Sequence, residues 1–460
     1  MKDLKWPFAA FWFLLIGISG AFLITPYYYL APIVSITLVA GLLLFQKPVY
    51  GLLVIICLVP FEDIFNQFSS FTGSKFIGLA LIGVVFIKLV LRAYPASLMR
   101  TRLWGPIFLL LCFYILSAFN SPYSVLALKP IKQLMTAIIL FTVTLIMEKD
   151  IDLIHIITAI LISIALSAIF TSALPSSDPT DRVTGLLADP NYFALLLCSA
   201  FPLSVYMLKV ENRTIYKYFW FSIIIVIVIS LVKTYSRSGL VVLGLTIGMM
   251  AIYYRDILKA FSPRYLGLII AAIIISLSTI SILIPDSYVE RIKSLGALAG
   301  GISNVEDRSL GRRTAYLNVG MTVVKNHPFL GNGPGSFPEN FAKSEYARAL
   351  AFKTQGADGD LYRMAHNTYL EILSEVGALG FLSFIFLMLM ANRNFKRARI
   401  NYLRNDNTMK ADLVMHLWFS FIAIAFFLLF LSSIKNKYLW ILLAVSQIVL
   451  NRSVKQKELR

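Results

Sequence analysis

The chain has 460 residues, of which 58% are hydrophobic and 14% are charged, and its mean hydropathy is +0.76. These values exclude an ordinary soluble globular protein and indicate a chain that lies in a lipid bilayer. The formal net charge of +18 does not indicate nucleic-acid binding, because the Lys and Arg residues stand between apolar segments and do not gather on one soluble face.

Fourteen apolar segments, separated by short polar breaks, run along the chain. A hydrocarbon core roughly 30 Å thick needs about 20 apolar residues per helix, which most of these segments approach. They lie at about residues 7–24, 28–45, 49–62, 76–92, 104–119, 129–147, 151–174, 190–208, 217–233, 238–254, 264–285, 367–391, 412–432 and 437–451. We therefore predict an all-α polytopic membrane protein with about 12–14 transmembrane helices and one long, mainly helical periplasmic loop.

The positions of Lys and Arg predict which connections face the cytoplasm. Basic connections lie at about 88–102, 209–217, 255–264 and 393–404, and the C-terminal tail is also basic. The acidic turn at Glu62 and Asp63 and the long connection then fall on the opposite side. Both termini are predicted to be cytoplasmic, in a multi-pass membrane protein.

Four regions follow from this division. They are residues 1–180, the N-terminal transmembrane helices; 181–285, transmembrane helices with outward-facing Arg motifs; 286–366, the periplasmic loop module; and 367–460, the C-terminal transmembrane helices with the basic cytoplasmic tail. In the loop, Tyr316, Val319 and Val323 recur at helical spacing and precede several glycines. This pattern predicts a helix followed by a glycine-rich turn.

Four segments on the predicted outer side hold polar residues of the kinds that bind anions or move protons. They are RVTGLLADPNYFA from Arg182, YSRSGLV from Tyr235, RRTAYLNVGMTVVKNHPFLGNGPGSF from Arg312, and HNTYLEILSEVGALG from His366. The succession resembles the O-antigen ligase and polymerase superfamily, over roughly residues 180 to 390. The last segment resembles it most specifically, since nine residues separate His366 and Asn367 from the GxxG step that begins at Gly377.

The resemblance implies metal-independent transfer of a glycan from a polyprenyl pyrophosphate to an acceptor hydroxyl. Departure of a pyrophosphate needs stabilisation of negative charge, which the planar guanidinium group of Arg provides. Arg182 and Arg237 are our candidates for this role. Either residue alone is equally well explained as an anchor for a helix end at the lipid headgroups.

The acceptor hydroxyl needs a base, and His is the side chain best suited to accept a proton near neutral pH. His366 is the candidate, because it opens an outer-facing helix inside a family motif. Asn367 is a candidate to orient the imidazole or to bind substrate, and the helix start at this point also suits a phosphate. Ordinary capping and a structural His are the alternatives.

The loop and the last motif hold further polar candidates. Arg312 and Arg313 are predicted to contact pyrophosphate or glycan, with a solvated helix face as the alternative. Glu371 and Glu375 suit functional and structural polar roles equally. Gly331, Gly333 and Gly335 are interpreted as structural, positive-φ positions of a turn, because no P-loop Lys accompanies them.

The function that we predict is an inverting glycosyl transfer from undecaprenyl pyrophosphate at the outer face of the membrane, with O-antigen or exopolysaccharide polymerase placed first. An O-antigen ligase acting on lipid A core and a protein O-oligosaccharyltransferase remain alternatives. The expected partners are the lipid-linked donor, a glycan or lipid A core acceptor, membrane lipids and a polysaccharide chain-length regulator. No nucleic acid, cofactor or metal is expected.

Two other classes compete with this interpretation. A lipid-linked-oligosaccharide flippase would have a similar number of spans, but a carrier needs ionisable groups near the bilayer midplane, whereas most of those in this chain stand at segment ends. A structural or signalling membrane protein is opposed only by the motif cluster.

Overall fold

The structure is a computed structural model that describes residues 31–63, 73–173, 182–256, 308–348 and 361–458, with isolated positions between 13 and 29. Every regular element in these ranges is helical. The α-helices are α1 Ala31–Gln46, α2 Val49–Leu58, α3 Gly73–Val90, α4 Trp104–Phe119, α5 Ser124–Ile146, α6 Leu153–Ala173, α7 Pro190–Val210, α8 Thr214–Lys233, α9 Arg237–Tyr253, α10 Arg308–Asn326, α11 Phe337–Ala342, α12 Thr368–Glu375, α13 Gly377–Arg404, α14 Thr408–Phe427 and α15 Lys437–Glu458. The predicted all-α class is confirmed.

Six of the described helices are long and apolar enough to cross a membrane, or seven if one bent pair counts as a span. The protein is therefore a multi-pass membrane protein. The described residues thus supply fewer spans than the predicted 12–14. Helices α1 and α2, predicted as two spans, meet at an angle of 114° as a broken span or re-entrant loop. Helices α4 and α9 are apolar but have only 16 and 17 residues, fewer than the six long spans. The predicted span at 264–285 lies outside the described residues.

Helix α7 lies at the centre of the bundle and packs against α6, α8, α9 and α14. Its first half is buried on all sides, because apolar and small residues follow one another from Phe193 to Ala200. Helix α13 packs against α4, α14 and α15, so α14 joins the two halves of the bundle. A helix that is hydrophobic all round belongs in such a buried position.

The loop module has a small core of its own. Tyr316 and Val319 of α10 are buried with Phe337 and Phe341 of α11 and with Leu370 of α12. The helix predicted from the spacing of Tyr316 and Val319 is thus confirmed, and it packs directly on the short helix that follows His366. The loop residues 286–307 and 349–360 lie outside the described residues.

The two ends of the bundle differ in chemistry. We call the end that holds Asp189, Arg237 and His366 the motif end. The opposite end, which holds Lys209 and Arg404, is the basic end. Among the described connections, the acidic turn at Glu62 and Asp63 lies at the motif end, where Asp63 accepts the Ala188 N–H at 2.8 Å, and Lys209 lies at the basic end, where it pairs with Asp412.

Candidate functional site

Hydrogen bonds and ring contacts bring the four motif segments together at the motif end. Ser236 Oγ donates to Asn191 Oδ1 at 2.9 Å, which joins the second segment to the first. Arg313 Nη2 donates to Ser238 Oγ at 3.1 Å, which joins the third to the second. The ring of His366 lies 5.8 Å from that of Tyr316, between centroids, which joins the fourth to the third.

The first two segments owe their shape to helix capping. Asp189 precedes Pro190, the first residue of α7, and its carboxylate accepts the backbone N–H of Asn191 at 2.8 Å. Ser236 caps α9 in the same way through Gly239 N–H at 3.2 Å. A short polar side chain before the first turn satisfies a helix N–H, and Pro is tolerated there because it needs no partner. Arg237 consequently begins α9 at the site.

The third segment turns back through the glycine-rich turn, residues 328–335. Glycines 331, 333 and 335 all have positive φ, as predicted. A Cβ on Gly331 would overlap the backbone of Glu375, so the turn approaches the α12–α13 junction too closely for any side chain. Backbone hydrogen bonds fasten it there: Asn332 N to Ser374 O at 3.0 Å, Gly333 N to Glu375 O at 2.9 Å and Ala378 N to Pro328 O at 2.8 Å.

Glu375 is buried beneath this turn and holds it. Its carboxylate accepts the backbone N–H of Gly335 at 2.7 Å and that of Phe337 at 3.0 Å. Burial raises the pKa of this carboxyl, as does neighbouring Glu371, while the two N–H donors lower it. Of the two roles left open by the sequence, these contacts support the structural one for Glu375.

His366 has φ of +48°, a conformation that costs energy in most non-glycine residues. Strained backbone of this kind clusters at functional sites. Burial is the largest influence on its pKa and lowers it; the Asp189 carboxylate raises the pKa, and the Arg313 and Arg363 guanidinium groups lower it. The net direction is downward, so the imidazole is neutral at pH 7 and able to accept a proton.

Asn367 is the N-cap of α12. Its side-chain oxygen accepts the N–H groups of Tyr369 at 3.0 Å and Leu370 at 3.1 Å, and Thr368 N–H donates to Leu428 O at 2.8 Å. The first three N–H groups of this helix are therefore satisfied within the protein. None of these three N–H groups is open to an anion, so the phosphate site considered at this helix start is not supported. Among the described donors of this helix start, the side-chain nitrogen of Asn367 is left for a substrate.

The two arginines assigned to the pyrophosphate lie on neighbouring elements of the motif end. Arg182 Nε donates to Thr234 O at 2.9 Å, so part of its guanidinium group fixes the chain before α7 to the end of α8. Arg237 is half-buried at the first position of α9, next to the Ser238 that receives Arg313. Their contact with pyrophosphate stays a prediction.

The loop arginines approach the same place. Arg313 lies over the ring of Phe430, 5.6 Å from its centre, in addition to its bond with Ser238. Arg312 is half-buried, and its Nε has no hydrogen-bond partner among the described residues. Because a buried donor without a partner is costly, this atom suits an anionic ligand. A purely solvated helix face does not describe either residue.

Several residues of the site escaped the sequence analysis. The sequence marks Asp189 only as part of a motif. It gives no separate signal for Ser238, Arg363 or Phe430. An Asp directly before a Pro is typical of a helix start, but nothing local indicates that the charge of Asp189 reaches His366. Within the described part of the chain, no group of three or more His, Cys, Asp or Glu is arranged to hold a metal ion.

Comparison with known families gives one match. Residues 221–385 match the family model described as O-antigen ligase, which covers a little over a third of the chain. The match includes the segments that begin at Tyr235, Arg312 and His366, whereas the segment from Arg182 precedes it. No curated protein matches the chain.

Proposed function

We propose that this protein transfers a glycan from undecaprenyl pyrophosphate to an acceptor hydroxyl at the outer face of the bacterial inner membrane, because residues 221–385 match the family model described as O-antigen ligase. The observation that carries the proposal is the convergence of His366, Arg313 and Asp189 from three separate segments. Convergent titratable groups in a strained backbone setting are typical of active sites.

The proposed step is a single displacement. The acceptor oxygen attacks the anomeric carbon and forms the new glycosidic bond, while the bond from that carbon to the phosphate oxygen breaks. Undecaprenyl pyrophosphate leaves with the electron pair, and the acceptor proton passes to His366. Attack opposite to the leaving group inverts the anomeric configuration.

His366 is suited to the role of base because its lowered pKa leaves Nδ1 or Nε2 free to accept a proton at neutral pH. The imidazole must remain able to accept a proton although cations that bind the donor lie beside it. The Asp189 carboxylate opposes Arg313 and Arg363 in the field at the imidazole. It therefore keeps some basicity in a ring that its surroundings would otherwise make a poor proton acceptor.

The arginines are assigned to the leaving group. Arg313 is held by Ser238 and Phe430, so its guanidinium group is positioned before the donor arrives, and the cap of α9 fixes the backbone of Arg237 beside it. Donors placed in advance stabilise developing charge without reorganising during the reaction. Arg182 and the unpartnered Nε of Arg312 extend the same cationic surface.

The acceptor that we place first is a second undecaprenyl-linked repeat, which makes the protein an O-antigen or exopolysaccharide polymerase. Lipid A core would make it a ligase, and a protein hydroxyl an oligosaccharyltransferase. A polysaccharide chain-length regulator is the expected partner of the polymerase. The predicted topology supports the external location, since the motif end lies opposite the basic connections.

The test uses the purified protein in proteoliposomes with one lipid-linked donor and each acceptor in turn. A ladder of products on undecaprenyl pyrophosphate is expected, and His366→Ala should abolish it with donor binding retained. The matched control is His327→Ala, an exposed His of the same module. Product only with lipid A core or with protein would reassign the acceptor; donor translocation without any product would overturn the proposed transfer.

A further inference from the structure

A crevice opens at the basic end, far from the motif segments, between the last part of α13 and the first half of α14. Its volume is about 250 Å³. Lys396 and Arg399 of α13 line it together with Val414, Met415 and Trp418 of α14. The crevice thus combines two cations with an apolar wall, which is the pattern of a site for an amphiphile with an anionic head.

The two cations of the crevice differ from other basic residues at this end. Lys209 pairs with Asp412 at 3.0 Å and Lys455 with Glu148 at 3.0 Å. Neither Lys396 nor Arg399 has a carboxylate within ion-pair distance among the described residues. The positive charge of the crevice is therefore available to an external anion.

Arg399 is also held in place. Its guanidinium group lies over the ring of Tyr253, 5.3 Å from the centre, and its Nε is buried without a hydrogen-bond partner. The nearby carboxylate of Asp412 is occupied, since it accepts the Tyr253 and Tyr254 hydroxyls at 3.1 and 3.0 Å as well as Lys209. A buried donor with no partner in the protein is costly unless a ligand supplies the acceptor.

The depth of the crevice matches the lipid headgroups. From Gly377, where α13 begins, to Lys396 the helix rises by about 28 Å at about 1.5 Å per residue. This is close to the roughly 30 Å of a hydrocarbon core. Trp418 lies deeper along α14, and its indole N–H donates to Asn392 Oδ1 at 2.7 Å, so its apolar ring is left to line the wall.

We propose that this crevice binds the phosphate of an anionic phospholipid from the leaflet at the basic end, with Lys396 and Arg399 on the phosphate and the acyl chain along Trp418 and Met415. Basic pockets between transmembrane helices are suited to such headgroups. The volume admits a headgroup but not a whole lipid, so the chains extend along the outer surface of α13 and α14. The inference is independent of the proposed glycosyl transfer.

The experiment measures thermal stability and lipid retention of the purified full-length protein with phosphatidylglycerol, phosphatidylcholine or inorganic phosphate. Phosphatidylglycerol should stabilise the wild type, and Lys396→Ala with Arg399→Ala should weaken its binding roughly ten- to thirtyfold. The matched control is Arg393→Ala with Arg397→Ala, which removes the same charge from exposed positions of the same helix and should retain binding.

A second variant covers the case in which the double alanine protein folds poorly. Met415→Trp fills the crevice, leaves both cations in place and should also release the lipid. If phosphatidylglycerol binding is weakened equally in the crevice variant and the control variant, the effect comes from overall charge and the proposed site is overturned. If phosphatidylcholine binds as well as phosphatidylglycerol, the bound lipid is ordinary surface lipid. If inorganic phosphate stabilises the protein equally, the crevice is a site for soluble anions. Either result overturns the assignment of an anionic phospholipid.

Discussion

Two buried glutamates, one at each end of the bundle, are satisfied in different ways. Glu375 at the motif end accepts backbone N–H groups of the glycine-rich turn, whereas Glu148 at the basic end accepts from the side chains of Asn451 and Lys455. The first therefore fixes the path of a loop, and the second ties one helix to another. An intramembrane or buried acid is often taken as functional; here the type of donor indicates what each one supports.

The histidines repeat this contrast. His416 at the basic end is buried and fully engaged, with Nε2 3.0 Å from Tyr254 Oη and Nδ1 2.9 Å from Asp412 O. His366 at the motif end has a ring contact with Tyr316 and lies in the field of groups from other segments. His416, with both ring nitrogens occupied, stabilises the fold, whereas His366 faces titratable groups of other motif segments and is suited to chemistry.

The largest difference between the two ends is expected in the transfer rate when one arginine is removed from each end in turn. Arg313→Ala should lower kcat/KM for transfer about 10²–10³-fold, because a preorganised donor to the leaving group is lost. Arg313→Lys should recover only part, since a point charge lacks the planar fork. Arg397→Ala at the basic end should leave the rate unchanged. Equal rates for the Arg313 and Arg397 variants would remove Arg313 from the site.

The next comparison concerns two glycines of the loop module. Gly331→Ala should destabilise the protein by about 2 kcal/mol or more and disable transfer, since alanine resists positive φ and its Cβ would overlap Glu375. Gly311→Ala lies inside α10, where a Cβ meets no atom, and should be neutral or stabilising by up to about 1 kcal/mol. Thermal unfolding measures both; a tolerated Gly331→Ala would contradict the described turn.

Substitution of the two buried glutamates should have a smaller effect on transfer. Glu375→Gln and Glu148→Gln should each cost about 1–3 kcal/mol of unfolding free energy, because one donor loses its acceptor. Only Glu375→Gln should also reduce transfer per folded molecule, since the turn that it holds packs beside the site. Chemical denaturation with parallel activity assays decides this. Loss of activity in both variants would mean that the two ends are coupled.

The smallest expected effect is a shift in pH dependence. Transfer needs neutral His366, so the rate should fall as pH drops through a pKa that lies below the ordinary value of about 6.5. Asp189→Asn keeps a capping side chain but removes the charge that raises this pKa, so the acid limb should move to lower pH. Arg363→Gln removes a lowering charge and should move it to higher pH. Profiles of kcat/KM against pH that coincide with that of the wild type would exclude His366 as the titrating base.

Local signals in the sequence predicted the helices and the turn. The spacing of Tyr316 and Val319 identified α10, and the glycines at 331, 333 and 335 identified positive-φ positions. Within the described residues, the separate spans predicted at 28–45 and 49–62 form one bent pair, because hydropathy does not encode the 114° bend between α1 and α2. Nor does it separate α12 from α13, which the positive φ of Gly377 divides.

The candidate site depended on contacts between distant parts of the chain. Residue type and motif order pointed to His366 and Arg313, but their neighbours come from α7, α9 and the connection after α14. The bond from Arg313 to Ser238 spans 75 positions in sequence, and no local pattern predicts which helix ends meet over such a distance. Capping by Asn367 was one of several open interpretations, and only the geometry of α12 shows that this residue caps the helix.

The backbone bonds between the glycine-rich turn and the α12–α13 junction also set the height of the loop module over the lipid. Helix α13 has 28 residues and a length of about 42 Å at about 1.5 Å per residue. It runs without interruption from that junction to the basic end. A transmembrane helix responds to a thinner or thicker bilayer chiefly by tilting. The turn must tilt with α13, so the distance from His366 to the headgroup plane depends on bilayer thickness. Membranes of different acyl-chain length should therefore change how well a lipid-linked pyrophosphate reaches the site, with no change in any residue that contacts it.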